Sequence, residues 1–352
     1  FVTYMTGKPA MIVYTRKESQ IAASPRHEMY VRVRLGANSD GKIRAMDVYT
    51  LSNTGAYSEH GPTTVGLSGH KSIPLYTGSL EAFRFAYDVV YTNVQAAGAY
   101  RGYGATQGIF AVESAVSELA DILGIDAVKM REMNMLREGM VMPAYYGEKT
   151  NSCALDRCME RCSELFDWDA KSQVRTMPDG KIRTAGVAMA MQGSSISNVD
   201  VGSATVTLGD DGCYTLAIGA ADMGTGCDTI LSQMVAECMD CDIDDVFVAP
   251  VDTDSSPYDS GSYASSTTYV TGKAVMLACD KLKNQLCEIA GEMLSCPPDE
   301  IEFCGSTLKC LSDGSTVTLR DLSYKAQCNN EIAVRATATH SSPVSPPPFM
   351  VG

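Results

Sequence analysis

The sequence predicts an α+β fold in two lobes, with mixed sheets and packed helices. Three observations predict it. Runs that alternate with period two, as half-buried strands do, are interleaved with helices that carry one apolar stripe. A length of 352 residues is enough for two domains or lobes. Between Glu138 and Thr184 the periodic segments give way to turn residues, among them Gly139, Pro143, Gly147 and Pro178-Asp179-Gly180. The lobes are placed at residues 1–150 and 151–352.

In chain order, Met11-Ile12-Val13-Tyr14 reads as a short apolar strand and Thr15–Ser19 as a polar segment. Tyr30–Leu35 alternates strictly, Asn38–Lys42 is a hairpin signal, and Ile43–Leu51 is the returning strand. Phe83–Tyr91 is a further strand. Ile109, Val112, Val116, Leu119 and Leu123 then form one helical stripe, stopped by Gly124. Asp126 caps a second helix running to about Leu136. Leu155–Phe166 reads as helix, Lys171–Arg183 as a connection and Ala185–Met191 as a strand. Ser203–Leu208 and Cys213–Ile218 flank Gly209-Asp210-Asp211-Gly212 as a hairpin. Asp228–Met239 is a helix, Asp244–Val251 a strand, Val270–Leu286 a long helix, and Asp299–Leu308 strand and turn. The tail from Ser341 to Pro348 is extended and proline-rich. No repeat of fixed period is present.

The formal charge of -14 makes nucleic acid and anionic membrane poor partners. An anion must therefore be held by local geometry against the overall field. No apolar run approaches a membrane span. The start, Phe1-Val2-Thr3-Tyr4, has neither a secretory pattern nor an initiator methionine, and reads as a cut inside a longer polypeptide. Thirteen cysteines, an odd number, argue against a secreted disulfide framework; a reducing, cytoplasmic compartment is expected. Cys153, Cys158 and Cys162 come near an iron–sulfur spacing, and Cys238 and Cys241 form a lone pair. Both read better as ordinary thiols, since the first set has a mismatched last gap and the second has no partner pair or histidine nearby.

Three loops of small residues lead into helices: Ala97–Gln107, Gly219–Gly226 and Asp259–Thr268. A helix start exposes unpaired N–H groups and the positive end of its dipole, which suits a phosphate without needing lysine. Ser265-Ser266-Thr267-Thr268 adds hydroxyl donors. Each loop alone is adequately explained as a turn and cap, and none matches a dinucleotide fingerprint or a P-loop. Tyr103 alone would be a packed ring, and Arg101 alone a surface cation.

Together the segments resemble the molybdopterin-binding subunit of the xanthine dehydrogenase and aldehyde oxidoreductase family, the molybdenum hydroxylases. The resemblance rests on Thr15-Arg16-Lys17-Glu18, Ser24-Pro25-Arg26-His27, Asn53–Tyr57, Thr92–Gly108, Met223–Gly226 and Gly261–Gly272, with Ala99-Tyr100-Arg101-Gly102-Tyr103-Gly104 the specific part. It implies a molybdenum-cofactor-binding domain: 1–150 as the C-terminal part of the first lobe, 151–352 as the N-terminal part of the second. It implies that Ala99, Tyr100 and Arg101 line the molybdenum and that Tyr103 stacks on a planar substrate, which Arg101 also meets. Met223, Gly224 and Thr225 would contact the pterin. Ala264 would lie near the metal, and Ser265, Ser266 and Thr267 would bind the cofactor's phosphate end. Arg101 and Ala264 would approach molybdenum without being side-chain ligands. The implied cofactor is molybdopterin, in simple or dinucleotide form, with molybdenum. The implied reaction hydroxylates a heteroaromatic or aldehyde carbon with oxygen from water. Electrons would leave through iron–sulfur clusters and FAD on partner domains or subunits, and an oligomer is expected.

The departures carry information too. The segment bearing the family's glutamate base would lie beyond Gly352, so no catalytic base can be named here. Thr225 stands where many members have glutamine. The arginine that purine-oxidising members carry before Ile73-Pro74 is not evident, and a second stacking phenylalanine near Ser195–Val199 is missing. These point away from xanthine as substrate. Arg101 is followed by Gly102-Tyr103 rather than cysteine, which disfavours carbon monoxide dehydrogenase. Two other readings stand beside the hydroxylase: a non-catalytic scaffold or assembly subunit of the same fold, and a different enzyme binding a phosphorylated metabolite.

Overall fold

The structure, a computed structural model, describes residues 1–329 and 333–352, with Asn329 described by its backbone only. The chain forms two compact units, residues 1–192 with 348–352, and residues 193–347.

The first unit is built on a three-stranded mixed sheet. β1 (Glu28–Ala37) pairs antiparallel with β2 (Ile43–Gly55), Val33 opposite Val48; β3 (Ala82–Tyr91) joins β2 in parallel, Phe85 opposite Val48. Ile43, Met46 and Val48 supply the sheet's buried side chains. The predicted strand at Met11–Tyr14 does not form. These residues are exposed irregular chain, and among the described residues no strand pairs with them. The polar segment after them is instead α1 (Arg16–Ala22), opened by a capping box. Glu18 N–H donates to Thr15 Oγ1 at 3.3 Å, and Thr15 N–H donates to the Glu18 carboxylate at 2.8 Å.

After β2 comes α2 (Gly61–His70), a helix with no sequence signal, then β3 and the glycine-rich loop. That loop enters α3 (Ala105–Leu123), whose Val112, Val116 and Ala120 are buried against the sheet. Gly124 ends α3 with φ 66°, as its sequence position demands. Asp126 then caps α4 (Ala127–Asn134), accepting from Val128 and Lys129 N–H at 2.9 and 3.1 Å. α5 (Leu155–Phe166) seals the same core with Leu155 and Met159. Met189–Met191, shorter than the predicted Ala185–Met191, pairs antiparallel with Phe349–Val351.

Under this core lies a buried polar group. Glu113 of α3 accepts from Arg131 Nε of α4 at 2.8 Å, from the Met189 N–H at 2.9 Å, and from the Tyr76 hydroxyl. Arg131 spends its other donors on the Glu113 carbonyl, Ser117 Oγ and the Ala127 carbonyl, at 3.2, 3.0 and 3.0 Å. A buried charge pair whose carboxylate also accepts two further hydrogen bonds has much of its desolvation cost offset.

The second unit has a four-stranded mixed sheet in the order Val246–Val248, Tyr214–Ile218, Val201–Leu208, Arg335–Ser341. β4 (Val201–Leu208) and β5 (Tyr214–Ile218) form the predicted hairpin; β6 (Val246–Val248) adds to β5 in parallel. β10 (Arg335–Ser341) adds to the other edge antiparallel to β4, Ala338 opposite Ala204. Two helices cover one face. α6 (Cys227–Met239) buries Leu231, Val235 and Met239; α7 (Thr267–Leu294) buries Ala274, Ala278 and Leu282. In chain order, a separate small meander of β7 (Ile301–Cys304), β8 (Thr307–Cys310) and β9 (Thr316–Thr318) comes between α7 and β10. Cys296 and Cys310 are joined beside it, with Cα atoms 6.3 Å apart, and the other cysteines of the described residues are free. Among the described residues, no helix is long and apolar enough to cross a membrane.

Candidate cofactor and substrate site

The loop before α3 is held from below and from the side. Gly104, at φ 88°, and Gly108 lie against α2 so closely that a Cβ would come within 1.9 Å of the Thr64 carbonyl and 1.8 Å of the Ser68 carbonyl. Pairs four residues apart thus meet backbone to backbone, Gly104 and Gly108 against Thr64 and Ser68. These glycines therefore serve helix–helix approach. Arg26 is the lateral clamp. Its Nη1 donates to Thr106 Oγ1 at 2.6 Å, its Nη2 to the Arg101 carbonyl at 2.5 Å, and its guanidinium lies 4.8 Å from the Tyr100 ring centroid. Gln107 Nε2 donates to the His27 carbonyl at 3.0 Å, and Gly98 N–H to the Pro25 carbonyl at 3.1 Å.

So fixed, the loop leaves Ala99, Tyr100 and Arg101 exposed and Tyr103 half-buried. Tyr103 has φ 47°, a left-handed conformation uncommon for an aromatic residue. Its hydroxyl lies 2.6 Å from His60 Nδ1, and the two rings meet edge to face with centroids 5.6 Å apart. Neither Arg26 nor His60 was singled out as a site residue from sequence. Arg26 reaches loop residues 75 and 80 positions away through side-chain contacts that leave no local pattern.

In the second unit, Met223, Gly224 and Thr225 are exposed at the entrance to α6. Here the expectation of unpaired N–H groups fails. The Asp222 carboxylate accepts from Gly224, Thr225 and Gly226 N–H at 2.8, 3.0 and 3.2 Å. These bonds, from Gly224 first, hold its carboxyl below the usual carboxylate range. The loop's anion position is thus filled by its own aspartate. An Asp two residues before a glycine is an Asx-turn signal that sequence reading can find.

The third loop differs. Ala264 and Ser265 both adopt left-handed conformations, φ 43° and 61°, in the turn that opens α7. The Ala264 carbonyl accepts from Ser195 N–H at 3.0 Å; Thr267 Oγ1 donates to Ser262 Oγ at 2.8 Å; Ser266 is buried. Beside this turn is a cavity of about 540 Å³ lined by Ser194, Ser265, Thr268, Tyr269, Lys273 and His340, among others. Burial, then the Lys273 charge, lowers the His340 pKa. Hydroxyls, a lysine and the start of a 28-residue helix form a donor set suited to phosphate oxygens. The residues present therefore fit the anionic end of a phosphorylated cofactor. Of the hydroxyl run from Ser265 to Thr268, Ser265 and Thr268 line this cavity; Lys273 and His340 line it without any signal in the sequence.

Among the described residues, two groups of possible metal-ligating side chains come together, Cys296, Glu300 and Cys310, and Asp222, Cys227 and Asp228; in the first, the two sulfurs are joined to each other and so are not free thiolates. Neither group contains Cys153, Cys158, Cys162, Cys238 or Cys241.

A cavity of about 400 Å³ lies in the first unit, lined by Leu67, Ile73, Phe83, Phe85 and Tyr146 with His70. His70 stacks on Tyr145 at 4.7 Å, over a buried Lys71 whose Nζ lies 4.1 Å from that ring. Burial, with a lesser push from Lys71, lowers the His70 pKa to about 4; burial lowers Lys71 to about 7. Because the folded His70 pKa lies below its unfolded value of about 6.5, the unfolded chain protonates first as pH falls. The stability from neutral His70 is full above about pH 6.5 and is lost between there and about pH 4. His70→Gln should flatten the fall of melting temperature across that window. An acid limb identical to that of the unsubstituted protein would contradict the assignment.

Two models of the molybdopterin cofactor-binding domain match the chain, one over residues 1–135 and the other over 161–351. The chain belongs to this family, and is a molybdopterin-binding region of the xanthine dehydrogenase and aldehyde oxidoreductase type. It is similar to the probable hypoxanthine oxidase XdhD of Escherichia coli K12, 34% identical over 314 residues, covering 86% of this chain and 32% of that protein. It is 35% identical over 292 residues to the putative xanthine dehydrogenase molybdenum-binding subunit XdhA of the same strain, covering 82% of this chain and 38% of XdhA. The chain thus spans about a third of the length of these relatives. Quinoline 2-oxidoreductase from Pseudomonas putida 86 superposes with a TM-score of 0.82 at 19% identity, covering 96% of this chain and 46% of that one. A Cu,Mo-CO dehydrogenase superposes at 0.79 with 21% identity, covering 99% of this chain and 47% of that one; at these identities the likeness shows the fold alone.

Proposed function

We propose that this chain is the cofactor-binding part of a molybdenum hydroxylase that oxidises a heteroaromatic or aldehyde carbon with oxygen from water. The match of both halves of the chain to molybdopterin cofactor-binding models carries the reading. When bound, the cofactor supplies the two-electron oxidation and delivers the water-derived oxygen to carbon. The chain's own residues bind and orient. Ala99, Tyr100 and Arg101 line the metal's surroundings, and Tyr103 offers its ring face to the substrate. Met223, Gly224 and Thr225 meet the pterin through their carbonyls and the Met223 and Thr225 side chains, the Gly224 and Thr225 N–H groups being held by Asp222. Ala264 lies near the metal, and Ser265, Ser266 and Thr267 hold the phosphate end. Lys273 adds a cation to that end, useful in a chain of charge -14. We assign residues 1–150 and 151–352 to successive cofactor-binding lobes. The glutamate base is proposed to lie on a segment outside them, and iron–sulfur and flavin groups on partner domains or subunits.

Arg101→Ala in the full-length protein tests the reading against a scaffold of the same fold. The expected result is a fall of about a hundredfold in kcat/KM, or loss of bound molybdenum. Unchanged molybdenum content and unchanged turnover together would favour the scaffold.

A further inference from the structure

His60 and Tyr103 are joined by a short hydrogen bond, and each is a non-glycine residue in a left-handed conformation, φ 53° and 47°. Backbone strain of this kind persists where the surroundings over-determine it, and it concentrates where side chains must be aimed. The surroundings here are specific. Arg26 clamps the loop on one side of Tyr103, and the close approach of Gly104 to Thr64 holds it on the other. His60 sits at the start of α2, yet its side chain makes no capping bond; it is spent on the Tyr103 phenol. Only Nδ1 is used. Among the described residues, Nε2 has no hydrogen-bond partner, and the ring is exposed.

We propose that His60 is a specificity-determining residue. Its Nδ1 fixes the orientation of the Tyr103 ring. Its Nε2 hydrogen-bonds the polar edge of a nitrogen heteroaromatic stacked on that ring, so that such substrates are favoured over aromatic aldehydes. The inference rests on the reading that Tyr103 meets the substrate. The chemistry follows from the imidazole, which can donate to a ring carbonyl or accept from a ring N–H. A benzene ring bearing an aldehyde offers no such edge and gains only the stacking face.

The test uses the full-length, cofactor-loaded protein with His60→Leu, His60→Gln, Tyr103→Phe and Tyr103→Ala. The probes are hypoxanthine and benzaldehyde in turnover, and urate, an oxopurine with no oxidisable ring C–H, in equilibrium dialysis. His60→Leu should raise the hypoxanthine KM and the urate Kd roughly tenfold, the effect of one lost hydrogen bond. Its benzaldehyde KM should rise clearly less than its hypoxanthine KM, because benzaldehyde loses only the fixed orientation of the Tyr103 ring and not the Nε2 bond as well, and His60→Gln should recover part of the loss. Tyr103→Phe should weaken urate binding less than His60→Leu does, because Nε2 remains. Molybdenum content of each variant separates a binding defect from poor loading. Equal loss toward both substrates, an unchanged urate Kd in His60→Leu, or no urate binding by the unsubstituted protein overturns the inference. Tyr103→Ala separates the two levels. If it leaves urate binding intact, the substrate-face reading fails as well; if it abolishes binding that His60→Leu spares, only the role of His60 fails.

Discussion

Replacing Arg131 by alanine is expected to destabilise the first unit by about 3–5 kcal/mol, the effect of leaving a buried charge without its partner. Arg131 is fully buried and Glu113 nearly so, at 0% and 5% exposure. Removing the guanidinium leaves the Glu113 carboxylate with only the Tyr76 hydroxyl and the Met189 N–H, and strands Ser117 Oγ. Trp168 is the chain's sole tryptophan and lies in this unit, packed beside the same core, so its fluorescence during urea unfolding reports the effect. A lower midpoint with an unchanged slope is the predicted outcome. The double replacement Glu113→Leu with Arg131→Met should lose much less, because it removes both charges together. A loss below about 1 kcal/mol in Arg131→Ala, in the range of exposed pairs, would mean that water reaches the site and that the pair is not buried in solution.

The second large effect concerns the approach of α3 to α2. Gly104→Ala should destabilise by about 3 kcal/mol, combining a backbone clash with a left-handed φ that a Cβ disfavours. The added carbon would lie 1.9 Å from the Thr64 carbonyl, and that carbonyl cannot rotate away as a side chain could. Gly108→Ala meets the Ser68 carbonyl at 1.8 Å and tests the contact without the φ term. Gly66→Ala is the control. It lies on α2 with nothing within 4 Å of the new carbon, and should be neutral or mildly stabilising. If Gly108→Ala behaves like Gly66→Ala, the two helices are not in backbone contact. The loop carrying Arg101 and Tyr103 would then lack the floor assigned to it.

Elements with a strong period were legible in the sequence. The stripe from Ile109 to Leu123 buries Val112 and Val116, and the alternation of Tyr30–Leu35 half-buries Val31, Val33 and Leu35; burial is what periodicity encodes. Elements defined by a distant partner were not. Met11–Tyr14 is as apolar as a strand, but among the described residues no strand edge pairs with it, and it lies exposed. α2 carries Gly61, Gly66 and Gly69, poor helix formers that read as a loop; packing against β3 and α3 overrides their preference. β6 is only Val246–Val248 within a predicted Asp244–Val251, because it pairs only with Tyr214–Leu216. α7 runs past its predicted end at Leu286 to Leu294, where Ile289 and Ala290 are still buried.

The candidate site divides in the same way. Residue types that a loop motif requires, Arg101, Tyr103 and the Ser265–Thr267 run, can be read in line. What holds them cannot. Arg26 acts across 80 positions, His60 lies in a stretch with no pattern, and Lys273 and His340 reach one cavity from a helix and a strand far apart in sequence. Asp222 is the exception, since its spacing to Gly224 is a local turn signal and places its carboxylate on the loop's own N–H groups.

The central claim is that this chain holds molybdopterin. Denaturing freshly purified, active full-length protein and assaying the released pterin as its fluorescent oxidation product, alongside elemental molybdenum, tests it most directly. The account predicts both in stoichiometric amounts with the chain. Active full-length protein that releases neither would contradict it.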